Sequence, residues 1–396
     1  MAVLWTIAKS VVAYVVRGPR LPSWDMYMQV ACDVARAGSV ACFPPSADGN
    51  LGPADYERIQ QAFARTPIPA TKVARTAGVS GPIRFRADTA GVDGEAMCGI
   101  GLAWAEAAFR ALVAEDAAAA AGGRPRMVAG EVVAPRAVYE SHGNARALDP
   151  APLAADERII LYFHGGAYVM GSPASHCQAL GEIAHAAGRR CFLVDYRLAP
   201  RHPFPAQLHD ALIAYRHLVA LGYPPAAIAV AGDSAGGHIA LGLLLLLKHA
   251  ASTPLPGALL LLAPMTAIDL HGASITANAA YDYLVNTPLE WPTSPLRMFY
   301  RPGHRLSEEY RRELQHPLLA PAAADLAGFP PTLIQVGDRD MLLDDISEFA
   351  AALAQAIGPA LRYEKFPDMV HVFHRFVYRP EAVRAFAAIA DFLASA

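Results

Sequence analysis

A serine stands in a turn with small residues on both sides. The segment GDSAG (residues 232–236) follows the apolar run Ile228–Ala231 and precedes a stretch with helical periodicity. A G-x-S-x-G sequence between a strand and a helix is typical of a nucleophile elbow, because small neighbours permit the sharp turn that exposes the hydroxyl. A glycine-rich turn without catalysis is the alternative interpretation. We predict that Ser234 is a nucleophile, with the dipole of the following helix directed at the site.

A second glycine-rich segment, HGGAY (residues 164–168), comes directly after an apolar run. Nucleophilic attack on a carbonyl places negative charge on its oxygen, and each preorganised N–H group can stabilise that charge by about 3 kcal/mol. Glycines let the backbone approach the oxygen. We expect Gly166 and Ala167 to be donors, Gly165 to shape the loop, and Ala235 to add the N–H group that follows the serine.

The general base must be a histidine. In enzymes with this elbow the chain order is serine, then acid, then histidine, and only His304, His316, His371 and His374 follow Ser234. His371 and His374 come after the last predicted strand, where the base belongs. We predict that His371, in the loop just past that strand, is the base. His374 lies one helical turn later, where we expect it to pack or to face solvent.

The acid is expected at the end of another predicted strand, where the segment GDRD (residues 337–340) stands. Asp340 is the predicted acid because it lies in the loop just before a helix begins. Asp344 and Asp345 come one turn later, where their carboxylates could simply stabilise the N-terminus of the helix. Asp338 is interpreted as a turn residue.

Two further residues are candidates for substrate binding. Tyr168 ends the glycine-rich loop and Asp233 precedes the serine. The Tyr168 ring could face a substrate or simply pack. His164 is expected to shape its glycine loop through hydrogen bonds. The sequence contains no cluster typical of a metal site, and we expect neither a metal nor a cofactor.

The elements that must position these residues follow a regular pattern after about residue 158. Short apolar runs without polar alternation are separated mostly by longer helical stretches, which indicates a mostly parallel sheet covered on both faces. The fold class is therefore α/β, doubly wound. The predicted strands are Ile159–Phe163, Cys191–Val194, Ile228–Ala231, Ala258–Leu262, Thr332–Val336 and Leu361–Phe366.

Two regions interrupt this pattern. Residues 1–120 contain helical pieces such as Ala103–Ala121 and are interpreted as an N-terminal cap or extension, so residues 121–396 form the catalytic domain. Residues 269–316 lie between two predicted core strands. They carry several aromatic residues and prolines, and are interpreted either as ordinary packing or as a helical cap over a pocket at the carboxyl ends of the strands. Their aromatic residues include Tyr281, Tyr283, Trp291, Phe299 and Tyr300.

The composition excludes several classes of partner and site. A net charge of −3 without a basic stripe argues against nucleic acid. The five cysteines, Cys32, Cys42, Cys98, Cys177 and Cys191, lack zinc-site spacing and are interpreted as free thiols, with a Cys32–Cys42 bridge as the alternative. The apolar residues 1–16 are too few to span a bilayer. We expect them to form an amphipathic helix in a cytoplasmic protein, while an anchor, membrane contact or signal sequence stays open.

Taken together, the motifs resemble the hormone-sensitive-lipase-like branch of the α/β-hydrolase family. The resemblance implies a carboxylesterase acting on small-molecule esters of short to medium acyl chain, without a cofactor. It also implies a triad of Ser234, Asp340 and His371. The oxyanion hole would include Gly165 along with the other donors named above. The matching stretches are HGGAYVMGSPASH (164–176), DYRLAPRHPFPAQLHDAL (195–212), GDSAGG (232–237), PPTLIQVGDRDMLLDD (330–345) and MVHVFH (369–374).

The chain departs from that family in three places. Ala167 replaces the third glycine of the family's HGGG, Met341 stands where a proline often follows the acid, and the region before the glycine loop is longer than usual.

The alternative functions are an amidase, deacetylase or carbamate hydrolase with the same triad, and a non-catalytic small-molecule receptor on this scaffold. The presence of His371 argues against the receptor. The oligomeric state is left undetermined.

Overall fold

A computed structural model of the protein describes residues 2–42, 78–87, 94–97, 99–142, 144–250, 254–291 and 294–396. Within these ranges, eight strands form one sheet in the order β1-β2-β4-β3-β5-β6-β7-β8. The strands are β1 (Gly78–Arg86), β2 (Met127–Pro135), β3 (Ile159–Phe163), β4 (Arg190–Asp195), β5 (Ile228–Asp233), β6 (Ala258–Leu262), β7 (Thr332–Gly337) and β8 (Leu361–Phe366).

Helices precede, connect and follow the strands. The longer ones are α1 (Ala2–Arg17), α2 (Met26–Cys42), α3 (Ala103–Ala121), α4 (Arg136–His142), α6 (Pro173–Ala187), α7 (Ala206–Ala220), α8 (Ala235–Ala250), α12 (Leu343–Ile357) and α13 (Pro380–Ser395). Four short ones are α5 (Asn144–Ala147), α9 (Ser274–Ala277), α10 (Pro295–Tyr300) and α11 (Glu308–Glu313). Single 3-10 turns lie at Gly94–Met97, Pro225–Ala227, Pro321–Ala323, Gly358–Ala360 and Phe373–Arg375.

Strands β3 to β8 run parallel to one another. Every residue of β3, β5, β6 and β7 is buried, as expected of strands with helices on both faces. Along β3, Leu161 and Phe163 join one layer of the core, whereas Ile160 and Tyr162 join the other. The prediction of a doubly wound α/β fold is confirmed.

Two strands at one side of the sheet, β1 and β2, were not among those predicted. Strand β1 pairs antiparallel with β2, and β2 pairs antiparallel with β4. Residues along β1 vary in exposure, and Pro82 within it is tolerated because an edge strand has one side without ladder hydrogen bonds. Strand β1 lies inside the predicted extension of residues 1–120, so that segment contributes to the sheet as well as to helices.

The helices form a layer on each face of the sheet. Leu241 and Leu244 of α8, Leu212 of α7 and Phe349 of α12 belong to one core. On the opposite face, α6, α13 and α2 contribute to a second core, for example through Ile389. The sheet is therefore sandwiched between helices, and its carboxyl edge is the place where functional loops can gather.

The N-terminal helices are fastened to the end of the chain and to the insert between β6 and β7. The indole N–H of Trp24 donates to the carbonyl of Asp368 at 2.8 Å. The Arg36 guanidinium on α2 donates to the carbonyl of Ala279 at 2.6 Å. Within the described residues, no helix is both long and apolar enough to cross a membrane.

Cysteine placement follows from these helices. Cys32, Cys177 and Cys191 carry free thiols. Cys32 and Cys42 stand ten residues apart on α2, so their Cα atoms are separated by about 15 Å, which excludes the alternative disulfide bridge because such bridges need Cα atoms within about 7 Å. Cys98 lies outside the described residues, as does the side chain of Cys42.

Candidate active site

Ser234 stands between the last residue of β5 and the first residue of α8. Its backbone is left-handed, with φ of +51°, and its N–H group donates to the carbonyl of Leu262 at 3.1 Å. A Cβ atom on Gly236 would lie 2.0 Å from the carbonyl oxygen of Phe163, so only glycine allows the helix to start this close to β3. The strained turn expected of an elbow is present at Ser234.

A histidine and an aspartate meet at the ends of β7 and β8. The Nδ1 atom of His371 lies 3.0 Å from Oδ2 and 3.1 Å from Oδ1 of Asp340. Both side chains are buried. The loops that carry them are joined by a hydrogen bond from the N–H of Arg339 to the carbonyl of Met369 at 2.9 Å. Hydrogen bonding through Nδ1 leaves Nε2 of His371 available for a second partner.

The charges around His371 favour its protonated form. Burial lowers the pKa of this imidazole, but the charge and hydrogen bond of Asp340 outweigh burial, and the net pKa lies above the ordinary value. The carboxylates of Asp282 and Asp233 act in the same direction. Asp233 ends β5 and the histidine loop follows β8, and these strands run parallel in one sheet, so the serine turn and the histidine loop lie at the same edge of the sheet.

The other histidines and aspartates that the sequence offered have partners elsewhere. His374 is buried, and its Nε2 atom lies 3.0 Å from the side-chain oxygen of Gln335. Asp344 accepts a hydrogen bond from the N–H of Ser274 at 2.8 Å. Asp345 accepts from the N–H groups of His271 and Gly272, so both carboxylates hold the insert to the start of α12.

The glycine-rich loop bends back on itself directly after β3. Gly166, Ala167 and Tyr168 all have positive φ, and the value of +123° at Gly166 is one that only glycine adopts readily. The carbonyl of Gly166 accepts hydrogen bonds from Val169 and Met170. Among the described residues, the N–H groups of Gly166 and Ala167 have no acceptor, whereas Gly165 donates to Asp233 at 2.9 Å. Gly165 therefore shapes the loop, and its N–H is not available to a substrate.

The position of Asp233 differs from our expectation that it binds substrate. Its Oδ1 atom accepts hydrogen bonds from the Tyr162 hydroxyl at 2.8 Å and from the Gly165 N–H. Its Oδ2 atom lies 3.4 Å from Nε2 of His176. Burial would raise the pKa of Asp233, but His176 and the Tyr162 hydrogen bond hold it well below its usual range. The carboxylate is thus ionised, buried and fully used in fastening the glycine-rich loop to the elbow.

Tyr168 is packed between aromatic rings. Its ring stacks on Phe299 of the insert at a centroid distance of 3.6 Å and meets His238 edge-on at 5.8 Å. The side chain is completely buried, and within the described residues its hydroxyl has no hydrogen-bond partner. His164, by contrast, contacts the carbonyl of Gly165 through Nδ1 at 2.8 Å and stacks on Tyr196, as expected of a residue that shapes the loop.

Comparison with known proteins decides the family. A family model for the α/β hydrolase fold matches residues 160–375, more than half of the chain. The chain belongs to the α/β-hydrolase family. Its predicted hormone-sensitive-lipase-like branch is confirmed by similarity to the crystal structure of an esterase from the bacterial hormone-sensitive lipase family. The TM-score is 0.61 at 29% identity, over 92% of this chain and 97% of the other.

Curated relatives of this hydrolase are named for the removal of acyl groups. An acetyl-hydrolase of Streptomyces hygroscopicus is 38% identical over 248 residues, which is 62% of this chain and 78% of the relative. The carboxylesterase NlhH of Mycobacterium tuberculosis is 36% identical over 228 residues, covering 55% of this chain and 67% of the relative.

Two polar residues of the insert of this hydrolase contact the acid loop and were not among the predicted site residues. Asn278 donates from its side chain to the carbonyl of Asp340 at 2.8 Å. Asp282 accepts hydrogen bonds from the N–H groups of Met341 and His371. The available signal in the sequence was a charged residue, Asp282, between two aromatic residues, Tyr281 and Tyr283.

Proposed function

We propose that the protein is a serine carboxylesterase that hydrolyses small-molecule esters of short to medium acyl chain, with Ser234 as nucleophile, His371 as base and Asp340 as acid. The observation that carries this proposal is the buried pair of His371 and Asp340, in contact at 3.0 Å, together with the strained backbone of Ser234 in the turn between β5 and α8. The relatives named as esterases and acetyl-hydrolases support the same reaction class.

In the first half of the reaction, the Ser234 oxygen attacks the carbonyl carbon of the ester, and its proton passes to Nε2 of His371. Asp340 holds the imidazole through Nδ1 and stabilises the imidazolium that forms. The negative oxygen of the tetrahedral intermediate accepts hydrogen bonds from the N–H groups of Gly166, Ala167 and Ala235. Ala235 is the first residue of α8, so its N–H has no partner within the helix.

The intermediate then collapses, and the bond between the carbonyl carbon and the alcohol oxygen breaks. The alcohol leaves with the proton from His371, while the acyl group stays on Ser234. A water molecule attacks this acyl-enzyme, again giving its proton to His371. Collapse of the second intermediate releases the carboxylic acid and returns the proton to the serine oxygen.

We also propose that the N-terminal extension of residues 1–120, through its helix α2, and the insert of residues 269–316 supply the cap over this site, while residues 121–396 carry the catalytic machinery. Stacking of Phe299 from the insert on Tyr168 supports this role. The hydrogen bond from Arg36 on α2 to Ala279 in the insert joins the two parts of the cap.

Ser234→Ala tests the proposed nucleophile. We expect the variant to stay folded and to hydrolyse p-nitrophenyl acetate at least about 10³-fold more slowly, because the nucleophile is lost while the N–H donors remain. Ser141→Ala, at an exposed serine on α4, is the matched control and should hydrolyse the ester like the parent protein. An organophosphate should label the parent protein on Ser234 and leave the variant unlabelled. Near-normal turnover by pure Ser234→Ala protein would overturn the assignment.

A second candidate is a hydrolase that removes acetyl groups from amides with the same residues. The name of the Streptomyces acetyl-hydrolase, which leaves the acetylated atom unspecified, favours testing it. An acetate ester and the acetamide of the matching amine should be compared at equal concentration. We expect the ester to be hydrolysed far faster, and faster cleavage of the amide would favour the second candidate.

A further inference from the structure

Asp282 is a buried carboxylate that the proposed triad leaves without a task. It lies in the insert between β6 and β7, and its side chain is fully inaccessible to solvent. Burying a charged carboxylate is costly unless hydrogen bonds and opposite charges compensate for the lost water. The hydrogen-bond partners of Asp282 therefore indicate its role.

Within the described part of the chain, the hydrogen-bond partners of the Asp282 side chain are all backbone N–H groups. Oδ2 accepts from Met341 at 2.8 Å and from His371 at 3.3 Å. Oδ1 accepts from Leu284 at 3.2 Å. Met341 directly follows Asp340, so one oxygen of Asp282 joins the loop that carries the acid to the residue that carries the base. A shift of this carboxylate would move both loops relative to each other.

Three ionisable groups share this buried space. Burial and the neighbouring charge of Asp340 raise the pKa of Asp282 to about 7, while His371 opposes that rise. In turn, Asp340 and Asp282 both raise the pKa of His371 against the effect of burial. Among the described residues, the other titratable groups that interact with these three are Asp233 at the end of β5, Cys32 of α2, Tyr283 of the insert, Tyr363 of β8 and His374 of the turn after His371.

We propose that Asp282 is a positioning residue of this hydrolase: it holds the acid and base loops together and, in its ionised form, adds a second negative charge that stabilises the imidazolium of His371. The inference rests on the proposed function, since it assigns Asp282 to the same Asp340–His371 pair. Asp282 acts through the backbone and through its charge, and it touches no reacting atom.

Asp282→Asn removes the negative charge of the side chain and keeps its size and shape. The amide oxygen can still accept from Met341 and His371, but the negative charge is gone. The pKa of His371 should fall, because a nearby opposite charge moves a pKa by about one unit or more. The acidic limb of kcat/KM against pH for p-nitrophenyl acetate should therefore move to lower pH by about one unit. Asp282→Glu keeps the charge but displaces it, so we expect the limb near its original pH with a lower kcat.

Asp345→Asn is the matched control. Asp345 is another buried carboxylate that accepts from two N–H groups of the same insert, yet it does not contact His371. We expect it to lose stability without moving the acidic limb. An unmoved limb in folded Asp282→Asn, or a limb that moves equally in Asp345→Asn, would overturn the inference.

The proposed function fails on a different observation, namely turnover by Ser234→Ala protein. If that variant is inactive while Asp282→Asn leaves the pH profile unchanged, only the positioning role of Asp282 is wrong. If Asp282→Asn does not fold, the kinetics of Asp282→Glu decide whether the positioning role is correct. A limb at its original pH with reduced kcat supports the inference, and a kcat equal to that of the parent protein contradicts it.

Discussion

Replacing Asp233 with alanine should damage the fold and the rate together. The change removes the partner of three buried groups, which are the Tyr162 hydroxyl, the Gly165 N–H and the His176 ring. Each buried polar group left without a partner costs about 1 to 3 kcal/mol. Because such losses are not additive, we expect the free energy of unfolding to fall by about 4 kcal/mol, a large part of the 5 to 15 kcal/mol of an ordinary domain.

The rate should fall because Gly165 loses the hydrogen bond that holds the glycine-rich loop at the elbow. The N–H groups of Gly166 and Ala167 would then be misplaced relative to the developing oxyanion, which lowers kcat more than it raises KM. Urea unfolding followed by intrinsic fluorescence measures the stability, and hydrolysis of p-nitrophenyl acetate measures both kinetic constants. Asp156→Ala, at an exposed aspartate, serves as the control and should change neither quantity.

The pH dependence of stability gives a second test of the same reasoning. The pKa of Asp233 is lower in the folded protein than in the unfolded chain, so its contribution is present above about pH 4 and is lost as the pH falls further. The stability of Asp233→Ala should therefore depend less on pH below about 4 than that of the parent protein. Unchanged stability with a higher KM alone would refute the reasoning and restore Asp233 as a substrate-binding residue.

The remaining predictions concern the acid, the base and the N-terminal segment. Asp340→Asn should lower kcat by up to about 10⁴-fold through a mis-set imidazole tautomer, whereas Asp344→Asn should mainly reduce thermal stability; the opposite pattern would move the acid one turn along the chain. His371→Ala should be as inactive as Ser234→Ala, whereas His374→Ala should retain most activity. In the parent protein, the rate should rise with pH through the ionisation of His371, whose pKa lies above the ordinary histidine value of about 6.5. Removing residues 1–20 should raise KM or shift the acyl-chain preference without abolishing turnover, and an unchanged preference and KM in the folded protein would exclude a substrate role for this segment.

The sheet was largely predictable because its central strands are buried on both faces. The run Ile159–Phe163 is apolar throughout, so the sequence reports its position and its bounds directly. Strand β1 was missed for the opposite reason. It lies at an edge, carries Pro82 and exposes several polar side chains, so its sequence resembles that of a loop. Pairing with β2, between residues at least 41 positions apart in the chain, makes it a strand.

The motifs identified which residue types gather at the site, but they could not give the direction of each side chain. Asp233 occupies the variable position of the elbow, where the sequence contains no sign that the carboxylate faces the Gly165 N–H. Asp282 reaches Met341 across 59 positions and His371 across 89. Such contacts depend on how the insert folds over the sheet, which neither periodicity nor spacing encodes.

The hydrogen bond between Trp24 and Asp368 has a consequence for the synthesis of the protein. These residues are 344 positions apart, and Asp368 stands three residues before His371. Because the ribosome makes the N-terminus first, Trp24 is synthesised long before Asp368, its hydrogen-bond partner in the loop that carries His371. The hydrogen bond that joins the N-terminal segment to this loop can therefore form only after β8 has been made, so we expect the Asp340–His371 pair to be among the last parts of the site to form.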